Sequence, residues 1–104
     1  MLEFHDSADD QSADVKPGES FAVSLHENPT TGFRWKLAAR GEPVCTLTDD
    51  DFQPGLAPGA QGMHRWRFRA ARPGETTIRL ILERPWAHAA QPAKAFSVRV
   101  RVNP

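Results

Sequence analysis

The chain has 104 residues, 39% of them apolar, enough for one compact domain with a modest core. Three tryptophans and six phenylalanines exclude a chain too polar to fold, a single cysteine excludes an internal disulfide, and no apolar run approaches the roughly 20 residues of a membrane span. Formal charge is zero, yet residues 1–52 carry 11 Asp+Glu against 4 Lys+Arg, and residues 53–104 carry 2 against 9.

Residues 1–14 are polar and acidic, and read as a loosely held arm with a short edge strand at Leu2–Phe4. The opening "MLEFHDSADD" has no basic n-region and no apolar h-region. No signal peptide is therefore visible, which places the chain in the cytoplasm, or outside the cell if a signal was removed before this numbering.

From "KPGE" at 16–19 onward the dominant period is two. Phe21, Val23 and Leu25 alternate with small and polar residues. After the turn signal "NPTTG" at 28–32, Phe33, Trp35 and Leu37 share one face and Arg34 and Lys36 the other. "PVCTL" holds Cys45 in a short strand-like stretch, where it reads as a small buried or edge residue and not as a nucleophile, which would need a nearby base and an accessible thiol. "DDDF" at 49–52 lacks the spaced ligands of a calcium loop and reads as a solvated acidic turn. Beyond the glycine-rich "QPGLAPGAQG", the stretch "HRWRFRA" places Trp66 and Phe68 inward and Arg65, Arg67 and Arg69 outward. "ETTIRLILE" is apolar on both faces, as in a central strand. "RPWAHAAQPAK" at 84–94 interrupts the pattern, and "AFSVRVRV" resumes it with Phe96, Val98, Val100 and Val102 inward.

Six or seven short strands punctuated by turns, with no helical periodicity, predict a single all-β domain over residues 1–104. At this length the expected architecture is an immunoglobulin-like antiparallel β-sandwich.

Nothing in the spacing supports catalysis. The four histidines are scattered, "HENPT" lacks the second histidine of a zinc-protease helix, and there is no nucleophile elbow or phosphate-cradling glycine motif. No catalytic residue, metal ligand or cofactor is expected. A nucleic-acid platform needs aromatics exposed beside its basic residues, whereas here the aromatics alternate inward. Acidic strands lying beside basic ones account for the charge division, so neither nucleic acid nor membrane is an expected partner.

The loops carry the remaining signal. In immunoglobulin strand order, the connections at 28–32, 53–63 and 84–92 emerge at the same end. Trp86 lies beside a proline in one of them, outside any alternation, and an exposed tryptophan is a common interface anchor. Taken by themselves, the three loops suit either a peptidase-blocking surface or an immunoglobulin-like recognition or adhesion module.

The order "NPTTG" followed by an aromatic and Trp, then "GAQG" leading into "WRF", then "RPW", resembles the chagasin-type inhibitors of papain-like cysteine peptidases. The likeness runs over nearly the whole chain. It implies an immunoglobulin-like fold, no enzymatic activity, and a monomer that inserts three loops into a papain-like cysteine peptidase. Asn28, Pro29, Thr30, Thr31 and Gly32 would lie over the catalytic cysteine, Thr30 nearest to it. Arg84, Pro85 and Trp86 would rest on one side of the cleft, and Gly59, Ala60, Gln61, Gly62 and Met63 along the other. The family pattern of the middle loop is Gly-x-Gly-Gly; Gln61 departs from it at a position where glycine could supply a positive φ.

Overall fold

A computed structural model describes residues 1–57, 59–84, 86 and 93–104. Its strands are β1 (Leu2–Phe4), β2 (Gln11–Val15), β3 (Ser20–Glu27), β4 (Arg34–Arg40), β5 (Cys45–Gln53), β6 (Gly62–Ala70), β7 (Gly74–Glu83) and β8 (Lys94–Val102). They form two four-stranded sheets, ordered β1-β3-β6-β5 and β2-β8-β7-β4. The only helical turns among the described residues are single 3₁₀ turns at Asp6–Ala8 and Pro29–Thr31.

The alternation turns one face of each sheet inward. Phe21, Val23, Leu25, Trp66 and Phe68 from one sheet meet Trp35, Ile78, Leu80, Phe96, Val98 and Val100 from the other, all buried. Phe21 and Phe68 stack with centroids 5.4 Å apart. Strand β7, apolar on both faces in sequence, is interior to its sheet, between β8 and β4.

The structure corrects two expectations. The first fourteen residues are not a loose arm. The expected edge strand at Leu2–Phe4 is there as β1, paired parallel with β3, but the segment also supplies most of β2, which pairs parallel with β8. Polar ties reinforce this: the Ser97 amide donates to Asp9 Oδ1, and the His26 amide to the Asp6 carboxylate. Asp49–Asp51 are likewise not a turn but part of β5, at the edge of its sheet. Asp49 is registered against Arg67 and Asp51 against Arg65, so cross-strand charge opposition favours the extended form. These pairs also account for the divided charge: acidic edge strands flank basic neighbours. The two arginine strands, β6 and β8, belong to different sheets.

Candidate functional site

The three loops converge at one end of the sandwich because of strand register. Glu27 pairs with Gly62 and Gln53 with Met63 in one sheet; Arg34 pairs with Glu83 and Leu82 with Lys94 in the other. Each of these residues borders a loop, and segment 28–33 crosses from one sheet to the other.

Segment 28–33 is organised by Asn28. Its side-chain oxygen accepts from the Thr30 amide at 3.1 Å and the Thr30 hydroxyl at 2.6 Å. Its carbonyl accepts from the Thr31 hydroxyl at 2.8 Å. Pro29 starts the 3₁₀ turn, where its fixed φ suits the first position and its missing N–H costs nothing. Gly32 closes the turn at φ +81°, a left-handed conformation that glycine adopts without strain. Pro29, Thr30 and Thr31 are exposed. The loop thus holds its shape through internal hydrogen bonds that spend both threonine hydroxyl protons, adding to the restraint that proline and β-branching supply.

Neighbouring loops touch this one. The Asn28 side-chain amide donates to the Gly59 carbonyl at 3.1 Å. On the other side the Trp86 indole lies against Gly32, so close that a Cβ there would meet Cη2 at 2.6 Å. The Arg84 guanidinium covers the Phe33 ring, 4.5 Å from its centroid. Trp86 nevertheless keeps 67% of its surface exposed. Pro85 lies outside the described residues, as do residues 87–92.

The middle loop differs in detail from the sequence expectation. Gly59, Ala60 and Gln61 are exposed loop residues, but Gly62 and Met63 belong to β6 and Gly62 is buried. A side chain at Gly62 would collide with the Gln53 carbonyl and the Phe52 ring, which is why glycine stands there. Positive φ in this loop falls at Gly59, at +77°, and not at Gln61, so glutamine at the third position is unstrained. Leu56, which sequence reasoning passed over, is fully exposed in the same loop.

Also missed was the root beneath the loops. The Glu27 carboxylate is wholly buried; it accepts from the Trp35 amide at 2.6 Å and from Arg34 Nε at 3.0 Å. His64 Nδ1 stands 3.3 Å from both of its oxygens. A legible signal existed: His64 shares the inward period of Trp66 and Phe68, and a buried polar group needs partners. Cys45 is buried at the start of β5, and desolvation pushes its thiol pKa up.

Comparison with known proteins fits this geometry. The profile of a family described as "Chagasin family peptidase inhibitor I42" matches residues 14–100. Amoebiasin-1 of Entamoeba histolytica is 31% identical over 91 residues, covering 86% of this chain and 87% of its own. The crystal structure of the cysteine protease inhibitor EhICP2 from Entamoeba histolytica superposes with a TM-score of 0.89 at 20% identity, covering 98% of this chain and 95% of that one. PbICP-C, solved in complex with falcipain-2, has a TM-score of 0.76 at 17% identity, covering 99% and 100%.

Proposed function

The chain belongs to the chagasin family of peptidase inhibitors, and from that membership we propose how it works: as a reversible inhibitor of papain-like cysteine peptidases that fills the active-site cleft with three touching loops. It is an inhibitor, not an enzyme. The observation that carries the mechanism is the mutual bracing of the loops, with Asn28 tied to Gly59 on one side and Gly32 covered by Trp86 on the other.

In this reading the turn Asn28–Gly32 lies over the catalytic cysteine. It carries no charged side chain, so no unpaired ion is buried beside the enzyme's thiolate–imidazolium pair. Its conformation is already held by internal hydrogen bonds, so little conformational entropy is lost on binding and more of the contact energy appears as affinity. Arg84 and Trp86 rest on one wall of the cleft; Gly59, Ala60 and Gln61 follow the other, with Leu56 adding an apolar contact. A turn fixed at both ends does not present its peptide bonds to the thiolate in an attack geometry, so the loop occludes without being consumed.

Titration of papain activity tests this directly. Inhibition is expected at about micromolar concentration or tighter, which an interface of roughly 800 Å² per partner supports. Trypsin, with a different cleft, should be unaffected. Undiminished papain activity at about tens of micromolar inhibitor would leave the three loops as the surface of a recognition module with another partner.

A further inference from the structure

Glu27 ends β3 and its side chain reaches across the root of segment 28–33 to the strand that leaves it. Trp35 and Arg34, which donate to it, lie just beyond the loop, so a carboxylate at the loop's start holds its finish. The Trp35 indole N–H, donating to the His26 carbonyl at 3.0 Å, ties the same two strands.

His64 of β6 backs this clasp. Its Nδ1 faces Glu27, and its Nε2 makes a short contact with Asp50 Oδ1 on the edge strand β5. The ring is held flat on Trp66, with centroids 3.9 Å apart and planes 9° from parallel, and Phe52 meets it edge-on at 6.0 Å. His64 is 8% exposed. Both ring nitrogens therefore face a carboxylate oxygen. A neutral imidazole has one N–H and one lone pair; only the imidazolium donates from both nitrogens.

We propose that His64, as an imidazolium between Glu27 and Asp50, is a positioning residue for segment 28–33, so that inhibition tightens when this ring binds its proton. The proposal rests on the inhibitory reading above. When the ring loses its proton, one carboxylate faces a nitrogen lone pair instead of a donor and the other keeps only a neutral hydrogen bond. In either tautomer the charge-assisted hold on Glu27 weakens, and with it the geometry that clasps Arg34 and Trp35. The charged groups around the ring are Glu27 from β3, Arg34 of β4 acting through Glu27, and Asp50 from β5. A second proton-dependent contact lies nearby on β3, where His26 Nδ1 meets Asp6 Oδ1 at 2.8 Å, but it is half exposed and ties down the N-terminal segment instead of the loop.

The test compares inhibition constants of the unaltered protein, His64→Gln and His26→Gln against papain between about pH 5 and 8, the range in which histidine changes charge. Dividing the constants of two variants at each pH cancels the titration of papain itself. Relative to His64→Gln, the unaltered protein should gain about tenfold in affinity toward the acid end, the scale of one charge-assisted hydrogen bond. His26→Gln should keep that profile. A flat ratio with folded proteins overturns the proposal.

A second measurement needs no peptidase. In NMR spectra of the free protein, the Thr30 and Thr31 amide shifts should follow the titration of the His64 ring; amides that stay still while the ring titrates also overturn it. If papain is uninhibited at every pH, the inhibitory reading fails and the amide coupling alone decides the positioning role. Should His64→Gln not fold, Asp50→Asn at the exposed edge removes the negative charge facing Nε2 and offers an amide N–H that a neutral ring can accept, so it should flatten the same profile; an unchanged profile counts against the proposal.

Discussion

The Trp86 indole occupies the space that a side chain at position 32 would need: a Cβ on Gly32 would lie 2.6 Å from Cη2 of the ring. Gly32 also holds φ at +81°, so alanine there meets both a backbone strain of about 1–2 kcal/mol and a collision. Gly32→Ala should displace Trp86 and loosen the join between the first and third loops. We expect a loss of more than about tenfold in papain inhibition, beyond what the modest fall in thermal stability implies. Inhibition constants and melting curves measured together decide the matter; unaltered inhibition would mean that the two loops act independently.

The three tryptophans should separate into one binding residue and two core residues. Trp86 is 67% exposed, whereas Trp35 and Trp66 are 8% and 1% exposed. Trp86→Ala should weaken binding by about 2 kcal/mol or more with little change in melting temperature. Trp35→Ala and Trp66→Ala should each cost about 3–5 kcal/mol of folding stability. Leu56→Ala should behave like Trp86→Ala, with a smaller effect. A Trp86 variant that melts early yet inhibits normally would reverse the assignment.

Asn28 does two things that can be told apart. Its oxygen caps the turn at Thr30, and its nitrogen reaches the Gly59 carbonyl. Asn28→Asp keeps the cap and loses the link to the middle loop; Asn28→Ala loses both. Removing a cap typically costs about 1 kcal/mol, so alanine should reduce loop order by that amount. Mass spectrometry after hours with excess papain should find the unaltered chain intact between Asn28 and Phe33, and the alanine variant cut there. Rapid cleavage of the unaltered chain, with inhibition fading in step, would make the segment a slow substrate.

Cys45 should take no part in inhibition. It is buried at the foot of β5, far along the strand from the loop at Gln53, and burial raises its thiol pKa. The sign of the linkage follows: below the unfolded thiol's range both states keep the proton, and as pH rises through that range the unfolded chain releases it first. Folding stability should therefore fall with rising alkaline pH, and Cys45→Ser should remove that part of the fall. Thiol reagents should react slowly with the folded protein at neutral pH. Loss of inhibition in a folded serine variant would point to a mixed-disulfide mechanism instead.

Much of this molecule was legible along the chain because alternation is a local property. Every second residue of a strand faces the same way, so "HRWRFRA" alone places Trp66 and Phe68 in the core, and Pro29 with Gly32 marks the turn without knowledge of its neighbours. Which strands become neighbours is a property of the whole fold. "DDDF" has turn-like composition, and only the basic partner strand β6 draws it into β5. The N-terminal segment shows an edge strand at Leu2–Phe4, but Gln11–Val15 is too polar to advertise one, and it becomes β2 only because the open edge at β8 receives it. The same holds at the site: Glu27, His64 and Asp50 are separated by 37 and 14 residues and meet only through register, as Trp86 meets Gly32 only because β4 and β7 pair. The sequence by itself determined which residues turn inward and where the chain bends; the tertiary structure decided which of them touch, because contact between distant segments depends on strand order and packing that no local pattern encodes.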